Sequence, residues 1–187
     1  MNGPVVLVLA SGQGRRFIAS GGSGSKLHAM LGHQTVLQHT LQAVTASGLS
    51  WHLEDAAHEG MGDSIAAAVR ATSTAPGWLV LPGDLPLIQP ATLRAVARAI
   101  GPHDVVVPVF EGRRGHPVGF AAGCGPGLAL LKGNEGAALI VRAWAAIELI
   151  VDDAGAVTDI DTLADLAEAR RRLTAVRGSD QARAAGG

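Results

Sequence analysis

Hydrophobic and polar positions change period along the chain, and those changes mark out its elements. Val5-Val6-Leu7-Val8-Leu9-Ala10 is a continuous apolar run rich in β-branched residues, the pattern of a strand covered on both faces. It opens into a glycine-rich loop. From Thr35 to Ser47, Leu37, Leu41 and Val44 recur at helical spacing and Gly48 supplies a stop, which predicts a helix. Ser64 to Thr74 reads as a second helix, Trp78 to Leu81 as a buried strand, and Pro90 to Ile100 as a helix with Leu93, Val96, Ala97 and Ile100 inward. Asp104 to Phe110 and Pro117 to Ala122 are strand-like, with the turn-rich link Glu111 to Gly115 between them. A helix is expected over Gly136 to Trp144, a strand over Ile147 to Val151, and a helix over Thr162 to Val176 that opens with the capping pattern Thr162-x-x-Asp165. Alternation of this kind predicts an α/β fold of three layers with a mostly parallel sheet. Residues 1–176 form one domain in this reading, and the polar, small-residue-rich 177–187 is expected to be a disordered tail.

Composition narrows the function classes. Apolar residues make up 48% of the 187 positions and charged residues only 17%, enough apolar material to offset ordering entropy in a single core. A net charge of -1 lacks the footprint of a nucleic-acid binder, and an aromatic content of 3% removes the stacking platforms that single strands need. The single cysteine, Cys124, has no disulfide partner and reads as a small packed residue. No apolar run approaches the ~18 residues of a membrane span, and no basic leader precedes the first strand. The expectation is a cytoplasmic protein with no membrane and no nucleic-acid partner.

Ligands of open parallel sheets bind at the carboxyl ends of the strands, so the loop Leu9-Ala10-Ser11-Gly12-Gln13-Gly14-Arg15-Arg16-Phe17 is the first candidate. Gly12 and Gly14 let backbone approach phosphate, and Arg15, Arg16 and Lys26 can balance a triphosphate. The dinucleotide fingerprint fails because Phe17 stands where glycine is required, and the P-loop fails at Ser25-Lys26-Leu27. An ordinary strand-to-helix turn would also carry such glycines. The second candidate is Leu81-Pro82-Gly83-Asp84-Leu85-Pro86-Leu87, where a carboxylate bracketed by prolines suits Mg²⁺, a hard cation that takes one or two carboxylates and fills its shell with phosphate and water. A turn-forming aspartate is the plain alternative. The third is Asp159-Ile160-Asp161-Thr162, two carboxylates at a helix start where capping is the plain role. His28, His33, His39, His52, His58 and His103 show no metal-ligand spacing and read as surface or loop residues.

These stretches, together with Gly60-Met61-Gly62-Asp63-Ser64-Ile65, Arg114-Gly115-His116-Pro117-Val118 and Gly133-Asn134-Glu135-Gly136-Ala137, recur in order to about Leu173. In that order they resemble the MobA-like nucleotidyltransferases, above all the molybdenum cofactor cytidylyltransferase branch. The resemblance implies a Rossmann-like nucleotidyltransferase fold and Mg²⁺-dependent transfer of CMP from CTP to the phosphate of molybdopterin. It implies nucleotide binding by Leu9, Ala10, Ser11, Gly12, Gly14, Arg15, Arg16 and Lys26, with Ser64, Pro82 and Gly83. It further implies catalytic roles for Arg15, Lys26 and Asp84, metal ligation by Asp84, and acceptor binding by His116; Asp161 becomes a candidate second metal ligand only if the fold brings it beside Asp84. A molybdoenzyme or its chaperone is the implied protein partner.

The chain also departs from that pattern. Cytidine-selecting members carry Leu-Ala-Ala-Gly in the first loop and guanosine-selecting members Leu-Ala-Gly-Gly, whereas this chain has Leu9-Ala10-Ser11-Gly12. An insertion, Ile18 to Ser25, precedes Lys26. Only 11 residues separate Gly48 from Gly60, which predicts a sheet shortened after the Thr35–Ser47 helix. That shortening raises a different function class, a cofactor-binding chaperone without catalysis. A nucleotidyltransferase acting on a sugar or isoprenoid phosphate shares the same motifs.

Overall fold

Residues 3–12 and 14–185 are described by a computed structural model, with side chains described as far as residue 175. In chain order the elements are β1 (Val5–Leu9), α1 (Arg15–Ala19), a 3-10 turn (Lys26–His28), the two-residue strands β2 (Met30–Leu31) and β3 (Gln34–Thr35), and α2 (Val36–Ser47). They continue through β4 (Trp51–Glu54), α3 (Met61–Ala71), β5 (Gly77–Pro82), α4 (Pro90–Ala99), β6 (Val105–Phe110), β7 (Arg113–Arg114) and β8 (Val118–Ala121). The remainder is α5 (Gly125–Ala129), α6 (Ala138–Ala143), β9 (Ile147–Ile150) and α7 (Leu163–Ala185). The tail expected from Arg177 has its side chains outside the described residues.

The main sheet runs β4-β1-β5-β8-β6-β7, with β9 beside β6. β4, β1 and β5 are mutually parallel, as are β6 and β9, while β8 runs antiparallel to both β5 and β6. This is the three-layer, mostly parallel α/β fold that the hydrophobic pattern predicts. Strand alternation explains the layers. Leu7 and Leu9 of β1 and Val80 of β5 join Ile65, Ala68 and Val69 of α3 and Leu128 of α5 in one core. Val6, Val8, Leu79 and Leu81 point the other way, to Val44 of α2 and Leu93 and Val96 of α4. Each such side chain, fully withdrawn from water, contributes about 1.5–3 kcal/mol.

Between α2 and α3 the chain makes a single strand, β4, which forms the sheet edge beside β1. The expected shortening is present there. α2 ends on Gly48 in the left-handed region, φ 73°, and opens with a full capping box between Thr35 and Gln38. The insertion before Lys26 is ordered packing rather than a loose loop. Gly22 lies so close to the Phe17 ring that a Cβ would sit 2.3 Å from it, and Ser20 Oγ accepts from Leu163 N at 3.0 Å. Phe17 is itself buried with Leu31, Val36, Ile160 and Leu166 in a satellite core. α3 begins three residues earlier than the sequence pattern predicts, because Gly60 and Gly62 press onto the loop 132–134. Gly62 N donates to Gly133 O at 2.7 Å, and a Cβ on Gly60 would lie 2.2 Å from the Gly133 carbonyl carbon.

Candidate active site

Two adjoining clefts open along one edge of the sheet, where β1, β4 and β5 end, β6 turns into β7 and β8 begins. The first, of about 450 Å³, is walled by the loop after β1 at Ser11, Gly12 and Gly14, by the start of α3, and by Pro82 to Asp84 after β5. The second, of about 370 Å³, is walled by Arg113 to His116, by Ala156 and Val157, and by Asp159. Arg16, Lys26, Met61, Pro82, Asp84 and Asp161 line both. The seam between the clefts is therefore charged.

At that seam Lys26 Nζ stands 2.6 Å from Asp84 Oδ2 and 2.6 Å from Asp161 Oδ1. The Lys26 and Asp84 side chains are only 11% and 13% exposed, so the pair is shielded from solvent screening. Burial pulls the Lys26 pKa down, but the Asp84 charge and the bonds to Asp161 and Asp84 outweigh it and raise the pKa above its ordinary value. The lysine is charged throughout the physiological range. Arg16, exposed, pairs with the other Asp161 oxygen.

Local chain chemistry explains the placement. Gly14 takes φ 59° at the entry to α1, and its backbone lies against Lys26, 3.5 Å from the Lys26 amide nitrogen to an added Cβ. Gly83 N donates to Leu9 O at 2.9 Å, which binds the β5 turn to the end of β1. The capping role open to Asp161 belongs instead to Thr162 and Asp165: Asp165 Oδ2 accepts from the Asp161 and Thr162 amides at 3.1 and 2.7 Å. Asp161 is left to face Lys26.

Asp84 Oδ1 and His116 Nδ1 are buried without a hydrogen-bond partner, and both residues line the second cleft. Burial pushes the His116 imidazole below its usual pKa, against the charges of Asp84 and Asp159 and the Val80 backbone bond. His116 is thus neutral at pH 7. Its backbone N donates to Ala156 O at 2.8 Å, and Gly115 before it leaves no room for a Cβ, which would fall 2.3 Å from that same oxygen.

The donor set suits a divalent cation. Two carboxylates share the seam, and Asp84 Oδ1 is an unpartnered buried oxygen of the hard type that Mg²⁺ prefers. Asp84 and Asp161 are the residues that would hold it. Among the described residues there is no group of three or more histidine, cysteine or acidic side chains arranged as a complete metal cage, so substrate phosphate and water would complete the shell.

Most of the residues singled out in the sequence meet here. Leu9, Ser11, Gly12, Gly14, Arg15, Arg16, Lys26, Ser64, Pro82, Gly83, Asp84 and Asp161 line the first cleft, and His116 the second. Ala10 is the exception. It serves the scaffold by donating its amide to Glu54 O at 2.8 Å. Two histidines depart from a surface or loop placement: His39 is buried in α2 with Nε2 2.7 Å from Leu31 O, and His52 lies within β4, 3.4 Å from one oxygen of buried Glu54. His58 does sit in the loop between β4 and α3, where its Nε2 is 3.0 Å from the other Glu54 oxygen. His58 also lines the first cleft, as do Glu59, Met61 and Asn134. The last two belong to stretches that carried the family resemblance, whereas no spacing signal marked Glu54 or His58. Burial and the Asp104 charge push the Cys124 thiol up to about 11, consistent with a packed residue and not a nucleophile.

The profile of the MobA-like NTP transferase domain matches residues 42–149, more than half of the chain. The chain belongs to this family. Purine catabolism protein PucB of Bacillus subtilis (strain 168) is 31% identical over 130 residues, covering 67% of this chain and 63% of PucB. This chain thus aligns with less than two thirds of that relative's length. Among solved structures, Rv0371c from Mycobacterium tuberculosis H37Rv superposes with a TM-score of 0.75 at 23% identity, covering 91% of this chain and 98% of that one. A nucleotidyl transferase from Methanothermobacter thermautotroptrophicus gives a TM-score of 0.77 at 20% identity, covering 94% and 100%. At these identities the solved structures speak for the fold. No helix among the described residues is long and apolar enough to cross a membrane.

Proposed function

We propose that this MobA-like domain transfers CMP from CTP to the terminal phosphate of molybdopterin and releases pyrophosphate. The observation that carries the reading is the pair of clefts joined at Lys26, Asp84 and Asp161. One cleft takes the nucleotide, the other the acceptor, and the charged seam lies where their phosphates meet. The acceptor phosphate is ionised at neutral pH, so its oxygen attacks the α-phosphorus without a dedicated base, and the α–β bridging bond breaks as pyrophosphate leaves. Catalysis reduces to alignment and charge balance. Asp84 and Asp161 would hold Mg²⁺, which would supply charge neutralisation on the phosphates when bound. Gly12 and Gly14 admit phosphate to the backbone, and Arg15, Arg16 and Lys26 carry the positive charge that the leaving pyrophosphate requires. Neutral His116 offers a bare ring nitrogen to a donor group on the acceptor.

Incubation with each nucleoside triphosphate, Mg²⁺ and molybdopterin, followed by mass spectrometry, tests the reading. A cytidylylated pterin with one pyrophosphate per product is expected. Transfer to sugar or isoprenoid phosphates in place of the pterin would replace the acceptor, and binding of pterin with no product from any triphosphate would favour a chaperone.

A further inference from the structure

The ammonium of Lys26 occupies the position that a metal bound by Asp84 and Asp161 would need. It contacts one oxygen of each carboxylate at 2.6 Å, and it lines both clefts. Two carboxylates converging in a shielded seam repel each other and require a cation between them. Here that cation is the Lys26 ammonium. Yet Asp84 keeps one buried oxygen with no partner, an unmet acceptor that a monovalent, three-donor ammonium has not satisfied and that a divalent ion would. The backbone of Lys26 is fixed by the 3-10 turn, where Ser25 Oγ accepts from Leu27 N at 3.3 Å, and by the close approach to Gly14. Only the four-carbon stem is free to move the charge.

We propose that Lys26 is a resident counter-ion of the metal site: the entering divalent cation evicts its ammonium from Asp84 and Asp161, and the freed ammonium turns toward the triphosphate. Metal and nucleotide then enter as a coupled pair, because the evicted charge finds its new partner only when phosphate is present. The nucleotide-free protein holds divalent metal weakly, and the carboxylates never face each other unneutralised. This inference rests on the assignment of the seam to a metal, but not on the identity of nucleotide or acceptor.

Mn²⁺ titration of the nucleotide-free protein, followed by loss of the free-ion paramagnetic resonance signal, provides one test. K26M is expected to bind Mn²⁺ at least tenfold more tightly than the wild type, and the double variant K26M/D84N to lose that gain. The wild type provides a second test that needs no variant to fold. Lys26 and Lys132 are the only lysines in the chain, so protein labelled at lysine Cε gives two carbon resonances. Saturating Mg²⁺ should move the Lys26 resonance and leave that of Lys132 in place. Equal or weaker Mn²⁺ binding by K26M, or a Lys26 resonance unmoved at saturating Mg²⁺, would overturn the proposal. Neither readout contains nucleotide or acceptor, so failure of CMP transfer leaves the outcome interpretable.

Discussion

Ser11 Oγ and Ser64 Oγ hydrogen-bond to each other at 2.5 Å, which ties the loop after β1 to the first turn of α3. Ser64 Oγ also donates to Gly60 O at 3.2 Å, so the serine pair joins the loop after β1 to the segment that packs on loop 132–134. Position 11 consequently projects a fixed side chain into the first cleft.

That fixed side chain bears on base choice. Where the loop after β1 seats the nucleobase as in the proposed function, a Cβ and Oγ at position 11 would fill space that guanine needs and leave room for cytosine. Differences of this size are worth roughly 1–3 kcal/mol, or about 10–200-fold. Wild-type protein should prefer CTP over GTP in direct competition, and Ser11→Gly should narrow the ratio toward unity. A GTP preference in the wild type, or an unchanged ratio in the variant, would remove Ser11 from the specificity account.

Asp84→Asn replaces a carboxylate with a neutral amide of the same shape. Lys26 retains Asp161 as a partner at 2.6 Å, so cooperative unfolding should survive. Metal-dependent transfer should fall by about 10²-fold or more, the scale of losing one major electrostatic contact to the transition state. Turnover at the wild-type rate with normal Mg²⁺ dependence would show that the carboxylate is not a ligand.

Much of this seam is legible in the sequence, and the limits of legibility have physical causes. Asp84 follows a buried apolar strand between two prolines, and Lys26 follows a glycine-rich loop; both signals are local. Their mutual contact depends on the packing of Gly14 on Lys26 and of Gly83 on Leu9, which no spacing reveals. Gly60 and Gly133 each announce a turn, but their contact beside the first cleft appears only once α3 and the loop before α6 are brought together. Glu54 and His58 carried no signal at all, because β4 reaches the site as the edge of a shortened sheet.

The Gly60 contact gives a stability prediction. Gly60 has extended backbone, φ -155°, which any residue adopts, so the penalty in Gly60→Ala comes from the clash with Gly133 and not from the dihedral. Overpacking of this sort costs about 1–3 kcal/mol. Thermal unfolding should show a lower Tm, and the first cleft should bind triphosphate more weakly as loop 132–134 is displaced. An unchanged Tm would mean that the loop yields freely.

Glu54 makes the acid limb of the stability curve informative. Burial raises its pKa, but hydrogen bonds and charge from His58 and His52 overcome that and hold it below the ordinary carboxylate value. A depressed folded value means that the contribution is fully present above the unfolded pKa near ~4.3 and is lost as the pH falls through the folded value. Glu54→Gln should flatten this part of the profile in denaturant titrations at successive pH values. The same slope in variant and wild type would assign the acid limb to other carboxylates.

The division of labour between the two clefts is tested most directly by a crystal structure with Mn²⁺ and a CTP analogue that cannot be cleaved between the α- and β-phosphates. The account predicts an anomalous manganese peak against Asp84 and Asp161, the triphosphate on Gly12 to Arg16 in the first cleft, and the second cleft open toward His116. Nucleotide seated beside His116, or manganese away from both carboxylates, would contradict it.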